Sequence, residues 1–320
     1  MPGTPAPLLD PREAARIACR TWTTPIVVTG WGAAIDGTVD IPPALAADVA
    51  RPPFRLSGLG PTGERAPGTL ALLAALGKCI AHSSTGALPS PARRALVVGT
   101  HTAALHEVIV FLEEVRRVGP TLVNPGLFPF TVMNAAAGLA AIHYQCEGPN
   151  ITLNNGATSA LDALSYAADL VAGGHAEIAF AGGLESFGPQ TSAAFGRSLA
   201  PVTVAAVLAV TTPRLAMALG CRMTARLLAF GTGEIEGLAP AEAREEITSA
   251  ALNALEAATV RGPAAGTRSW DESRPEQTLL ALLDAAHRIG ESPTGTYVPV
   301  FAGPPESPSG GALILGTVSR

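Results

Sequence analysis

Cysteine, charge and long apolar runs are all scarce in this chain. The four cysteines (Cys19, Cys79, Cys146 and Cys221) are scattered, and none lies in Cys-x-x-Cys spacing. That argues against a zinc site and against a disulfide scaffold, and it points to a reducing, cytoplasmic setting. Only 15% of the residues are charged, and 21 basic against 26 acidic side chains leave a net charge of −5. No basic field exists to hold a polyanion, so nucleic acid is not an expected partner. No apolar run reaches the ~18 residues of a membrane span. The N-terminal stretch has no basic start leading into an apolar block, which argues against a secretory signal. Glycine (34) and proline (28) make up about a fifth of the chain, below the level of a low-complexity sequence. What is present is apolar bulk. With 320 residues, 48% of them hydrophobic, the chain can build one large domain or two fused halves around a substantial core.

Short β-branched runs bounded by glycine and separated by helix-length segments point to an α/β sheet. Residues 1–24 read as a Pro-containing leader, partly ordered, with a short helix from Arg12 to Arg20. The first strand is expected at Ile26-Val27-Val28-Thr29, closed by Gly30, and a Pro-rich stretch follows from Asp36 to Gly68. Helices are expected over Thr69–Ile80, Leu105–Arg117, Thr131–Gln145, Ser159–Ala172, Pro240–Thr259 and Gln277–Ile289. Strands are expected at Ala95–Val98, Asn150–Asn154, Ile178–Ala181, Ala205–Thr211, Thr224–Phe230, Tyr297–Phe301 and Ala312–Val318. Along Ser159–Ala172, Leu161, Leu164, Ala168 and Val171 share one face, with Asp162 and Asp169 opposite.

Two turns carry candidate chemistry. Val28-Thr29-Gly30-Trp31-Gly32 resembles the start of a dinucleotide-binding turn, where glycines let a backbone approach a pyrophosphate. The third glycine is replaced by Ile35, and no strand ending in a ribose-binding acid follows. A tight turn after the first strand is the preferred reading, and a nicotinamide-dependent dehydrogenase built on Gly30 and Gly32 is the rival. The second turn is Leu153-Asn154-Asn155-Gly156-Ala157-Thr158-Ser159, where a strand runs into a helix through a very short elbow. Backbone N–H groups and the helix dipole at such an apex lower a thiol's pKa or stabilise an oxyanion. Here the apex is Ala157, which has no nucleophilic atom, and Thr158 and Ser159 read as helix caps.

Gly148-Pro149-x-x-Thr152, the small-residue elbow, the alanine-rich helix after it and Ala181-Gly182-Gly183-Leu184-Glu185 resemble the nucleophile region of β-ketoacyl synthases of the thiolase fold. Ile26–Gly30 is similar to their opening strand, and Asn124–Asn134 to the segment lining their acyl pocket near the dimer axis. The likeness runs from about Pro25 to Gly233. It implies a layered αβαβα fold of two related halves, residues 25–220 and a reduced 221–320. It also implies a cysteine where Ala157 stands, and two histidines in the C-terminal half. Of the six histidines (His82, His101, His106, His143, His175 and His287) only His287 lies in that half, and none has a His-Gly-Thr or Gly-His-x-x-Gly setting. The loop normally found between the regions of Arg197 and Val204 is nearly absent. Without a thiolate and imidazoles the chain should condense nothing by itself.

A ketosynthase-like chain without its nucleophile resembles the chain-length factors of bacterial type II polyketide synthases, and the shortened chain suggests a divergent branch serving polyene-forming systems. That resemblance implies a heterodimer with a catalytic ketosynthase, contact with an acyl carrier protein through the complex, and no metal or nicotinamide. Leu105, Val108, Ile109 and Leu112 are spaced as one apolar helix stripe, and Leu127, Phe128, Phe130 and Met133 come from the neighbouring segment. Read from the residues alone they are ordinary core or the wall of an acyl tunnel. The strand Asn150-Ile151-Thr152-Leu153-Asn154 is implied to face a partner strand across a two-fold axis, and Arg116 and Arg117 are a candidate carrier-docking pair beside the plainer reading of solvated surface. A malonyl-carrier decarboxylase or degenerate ketosynthase of the same fold is the nearer rival.

Overall fold

One strand, β1 (Arg16–Gly37), organises the molecule, because its two ends belong to different parts of one nine-stranded sheet. The computed structural model describes residues 16–37, 41, 43–52, 54, 66–83, 88–189, 191, 201–235, 238–255, 275–303 and 309–318. In chain order the principal strands after β1 are β2 (Val49–Ala50), β3 (Arg94–Gly99), β4 (Asn150–Leu153), β5 (Ile178–Phe187), β6 (Val202–Thr211), β7 (Ala225–Glu234), β8 (Tyr297–Ala302) and β9 (Ser309–Gly316). The helices are α1 (Pro67–Ser83), α2 (Leu105–Val118), α3 (Ala135–Tyr144), α4 (Ser159–Ala172), α5 (Pro213–Ala218), α6 (Pro240–Asn253) and α7 (Pro275–Glu291). The sheet order is β4-β3-β5-β6-β1-β7-β9-β8, with β2 alongside β1. β3 is parallel to β4 and β5, and every junction from β5 through β6, β1, β7 and β9 to β8 is antiparallel.

The C-terminal part of β1, Val27 to Gly37, pairs with β6, while Arg16 to Val28 pairs with β7. The two pairings overlap at Val27 and Val28, with a register shift between Thr21 and Ile26 inside the β7 ladder and another between Val28 and Gly30 inside the β6 ladder. Helices then stack in layers. α1 and α3 cover one face through Leu72, Leu73, Leu76, Ala137 and Ala140, packed on Leu96, Phe180 and Val207. α4 and α7 form the middle layer, touching β3, β5 and β6 on one side and β8 and β9 on the other. α6 closes the outside of β7 and β9. The result is the αβαβα arrangement of the thiolase fold.

That middle position explains α4. Instead of one buried face it has Ala160, Leu161, Ala163, Leu164, Ala167, Ala168, Leu170 and Val171 all buried. Each buried leucine contributes roughly 2–3 kcal/mol of transfer free energy, and the alanines between them let the helix lie close to both strand layers. Asp169 sits at the rim, bonded to Arg20 and to Trp22 Nε1 at 2.9 Å from β1. Asp162 stays at the elbow end.

Three expectations are corrected. The described part of the helix expected over Arg12–Arg20 is strand: Arg16 to Arg20 pair with Glu234 to Phe230, so tertiary pairing overrides local helix preference. Gly30 and Gly32 do not make a turn of either kind, since β1 runs straight through them. A side chain at Gly32 would meet Ala75 O at 2.4 Å and Cys79 N at 2.5 Å, so the glycines let α1 lie directly on the strand. With no strand-to-helix turn there, the dinucleotide-binding reading fails. Gly182 and Gly183 likewise do not end a strand but lie inside β5. A Cβ on Gly183 would press Leu279 Cδ2 at 2.5 Å and Ala160 Cβ at 3.0 Å, where α7 and α4 close over it. The segment from Arg197 and the end of the Pro240–Thr259 helix beyond Leu255 lie outside the described residues.

Candidate functional site

The elbow forms because β4 delivers Leu153 beside Gly99 and the chain must then reverse into the middle layer. Gly156 takes φ +68, a left-handed conformation suited to glycine, and a short 3-10 turn, Gly156–Thr158, leads into α4. The turn is locked from below: any side chain at Gly99 would meet Ser159 O at 2.0 Å. Ala157 sits half-buried at the apex. Neither flanking hydroxyl is free. Ser159 Oγ accepts from Asn155 N at 2.9 Å and donates toward Gly156 O at 2.6 Å. Thr158 Oγ1 lies 2.8 Å from Asp162 Oδ2 and 3.1 Å from Asn155 O, so its one proton is shared between these acceptors. Thr158 therefore does not cap the helix as expected; it anchors a carboxylate, and Asn155 Nδ2 donates to the same oxygen at 3.1 Å. Burial raises the Asp162 pKa, opposed by those two hydrogen bonds and by the Arg20 charge.

The loop after β3 ends beside the elbow, with Thr100 N donating to Leu153 O at 2.9 Å. Its shape is set by Glu185, only 4% exposed on β5. The Glu185 carboxyl accepts from His101 N at 2.7 Å, Thr102 N at 3.0 Å and Thr102 Oγ1 at 2.6 Å. Sequence reading quoted Glu185 only as part of a motif, and nothing in the spacing announces this role. The same loop carries His101, whose pKa burial lowers, one residue after Thr100. His82 and His287 instead place their rings against Trp31, at 4.2 and 5.9 Å. His143 stacks edge-on with Tyr144, His106 lies on α2, and His175 follows α4. Among the described residues no group of three or more His, Cys, Asp or Glu is placed to hold a metal ion.

The predicted stripe is not ordinary core. α2 has no buried residue; Leu105, Val108 and Ile109 are half-buried, and Leu112 is 57% exposed. Opposite it the 3-10 turn Pro125–Phe130 places Leu127 and Phe130 half-buried and Phe128 59% exposed, its ring 5.9 Å from Phe111. Met133 is exposed, with Asn154 Nδ2 donating to its sulfur at 2.9 Å. Seven of the nine exposed large apolar side chains among the described residues lie between Val110 and Ile142, so most of them fall in the one stretch of chain from α2 to α3. It adjoins β4, an edge strand whose second side has no partner among the described residues. There Asn150 and Asn154 are exposed, Ile151 and Leu153 pack partly on the core, and the shielded Thr152 Oγ1 lacks a hydrogen-bond partner. Leu127, Phe130 and Met133 meet α2 through Glu107 and Val110 rather than through the predicted stripe. Arg116 and Arg117 are exposed in the last turn of α2, where cations suit the helix dipole.

These features leave a strand–elbow–helix with a methyl group at its apex beside an open edge strand. A model of the β-ketoacyl synthase N-terminal domain matches residues 66–203. The 3-oxoacyl-[acyl-carrier-protein] synthase 2 of Vibrio cholerae is 31% identical over 110 residues, 34% of this chain and 27% of that protein. The enzyme of the same name from Vibrio harveyi is 37% identical over 83 residues, 26% and 20% respectively. The matched part is thus about a quarter or less of those relatives. Among solved structures, the ishigamide ketosynthase/chain length factor superposes with a TM-score of 0.65 at 15% identity, over 92% of this chain and 100% of that one. A β-ketoacyl synthase from Burkholderia phymatum gives 0.67 at 13%, over 93% and 100%. Residues 66–203 resemble the N-terminal domain of the β-ketoacyl synthases, and the chain shares its fold with the ketosynthase structures above. No described helix is long and apolar enough to cross a membrane.

Proposed function

We propose that this chain is a non-catalytic, chain-length-determining subunit that pairs with an active ketosynthase in type II polyketide assembly. The observation that carries the reading is Ala157: the elbow keeps its geometry, yet its apex offers a methyl group, and the two hydroxyls that follow it are tied to backbone and to Asp162. A reaction that needs covalent attachment of an acyl chain has no atom to start from. The exposed apolar side chains from Val110 to Ile142 and the open edge of β4 supply the surface on which a ketosynthase would sit, and an interface of that character would be obligate. In that complex Leu105, Val108, Ile109, Leu112, Leu127, Phe128, Phe130 and Met133 would wall the acyl tunnel, with Asn150 to Asn154 against the partner strand. The acyl carrier protein would deliver its cargo to the partner. The ishigamide ketosynthase/chain length factor as a neighbour in fold supports the reading, as does a type II acyl-carrier protein in complex with its ketosynthase. The division into residues 25–220 and 221–320, and a cytoplasmic location, belong to the same proposal.

Co-expression with a catalytic type II ketosynthase tests the pairing. Co-purification as a stable complex, and longer products when Leu112 or Phe128 is replaced by alanine, are the expected results. Unchanged product length in both variants with the complex intact refutes the tunnel assignment. His101 favours one second reading, a residual malonyl-carrier decarboxylase using the neutral imidazole of the loop after β3. Loss of carbon dioxide from malonyl-loaded carrier, followed by mass spectrometry with the purified chain and abolished in His101→Ala, would establish that reading instead.

A further inference from the structure

Of the seven described α-helices, α2 alone has no buried residue. It packs mainly on β5 and on the 3-10 turn Pro125–Phe130. The packing beneath it is incomplete, with a hollow of about 130 Å³ against that turn and a smaller one against the start of α3 and Leu184. Few buried contacts mark a segment that opens at low cost while the rest of the fold stays shut. The ends of the helix are well placed for such an opening. The loop before it is held by Glu185, and Gly119, at φ +87, follows its last turn.

Glu107, in the first turn of α2, lines both hollows, and its Oε2 atom is shielded from solvent with no hydrogen-bond partner. From α2 itself His106 and Glu114 line the larger hollow. β5 contributes Glu185, whose carboxyl is engaged by the loop that also carries His101. The turn Pro125–Phe130, the start of α3 and residues 66–69 contribute no titratable side chain. Among the described residues no lysine or arginine lines either hollow. An ionised carboxylate there has no counter-charge, and its Oε2 has no donor, so charge is far costlier in place than a proton.

We propose that α2 is a pH-gated flap, seated while Glu107 is protonated and lifted from the Pro125–Phe130 turn when Glu107 ionises, which wets the carboxylate and uncovers Leu127 and Phe130. In the seated helix burial moves the ionisation from 4.5 up to about 7, and in the lifted helix the carboxyl is back in water. Below pH 4.5 both positions hold the proton, and lifting does not depend on pH. Between 4.5 and about 7 lifting releases a proton, so it becomes easier by about tenfold per pH unit, and above about 7 the gain levels off.

The test is amide hydrogen exchange of the full chain at pH 5.5 and pH 8, corrected for the intrinsic rate at each pH. Protection across α2 should be about 10–30-fold lower at pH 8. At both pH values α2 should exchange faster than α4 and be insensitive to urea up to about 1 M, the mark of a local opening that exposes little surface. In Glu107→Gln the difference between the two pH values should vanish; should that variant not fold, Glu107→Met removes the same titration and should give the same result. Equal α2 protection at both pH values in the native chain overturns the proposal. So does a pH difference that persists in the variant, or α2 exchange that follows urea as steeply as α4. The measurement needs no partner, so it stands apart from the ketosynthase pairing.

Discussion

Replacing Glu107 with glutamine should stabilise the protein by an amount that grows from about pH 4.5 and levels off above about pH 7. Burial pushes the Glu107 carboxyl from 4.5 up to about 7, against a smaller opposing hydrogen bond from its own backbone. Below pH 4.5 both the folded and the unfolded chain hold the proton, and the side chain contributes no pH-dependent stability. Between 4.5 and 7 the unfolded chain releases it while the folded chain keeps it, so stability falls as pH rises, and above 7 the loss is complete. A shift from 4.5 to about 7 corresponds to about 3 kcal/mol. Partial exposure and entry of water reduce that to roughly 1–3 kcal/mol. For a domain of this size the expected rise in Tm is roughly 2–6 °C at pH 8. Glutamine is isosteric with the protonated acid, so at pH 4 the two melting temperatures should coincide. Thermal melts of both proteins from pH 4 to 9 would show the difference growing through pH 7. A difference of the same size at pH 4 and pH 8, or none at either, refutes the argument.

The elbow and its supports give further expectations. Gly99→Ala should cost about 3 kcal/mol or more, because its methyl meets Ser159 O at 2.0 Å between two fixed backbones; an unchanged melting temperature would remove the close-packing account. Gly138→Ala, mid-helix in α3 with nothing within 4 Å, should instead stabilise by about 0.5–1 kcal/mol in the same melts. Glu185→Gln turns an amide N–H₂ toward donors that now share a carboxyl, costing about 2–3 kcal/mol. Hydrogen exchange at the His101 and Thr102 amides should accelerate, and undiminished protection there would contradict the role given to the carboxyl. Ala157→Cys should accept an acyl label from a thioester yet elongate nothing, and condensation by that variant alone would show that the rest of a synthase site is intact.

Much of this architecture is legible in sequence because its periods are clean. Ser159–Ala172 reads as a helix and is one residue for residue, and the β-branched runs of β3, β6 and β9 fall where expected, some with shifted ends. The misreadings share one cause. Gly30, Gly32, Gly182 and Gly183 look like chain breaks, since glycine most often marks a turn, whereas here each sits in an extended strand. Close approach of α1 to β1, and of α4 and α7 to β5, is a long-range fact that no local window contains. Arg16–Arg20 misleads in the opposite sense: its helix-forming composition is overruled by pairing with residues more than two hundred positions away. Ala157 was visible because the elbow's spacing survives around it. Glu107 was not, because a glutamate in a first helical turn is also what the helix dipole favours at any surface.

The elbow holds its shape without any help from the side chain at its apex. Ser159, Asn155, Gly156 and Gly99 hold the turn by backbone bonds and by close approach, and none of them depends on what side chain occupies the apex. α4 must start where it does to fill the middle layer, and Gly183 admits Ala160 and Leu279 only if that start is kept. Exchange of one small side chain for another at position 157 should therefore cost the fold almost nothing, while any change at Gly99 or Ser159 should cost it much. The demands of the fold fall on the backbone around the apex and not on the apex side chain, which suits the proposed role, where shape and not chemistry is contributed.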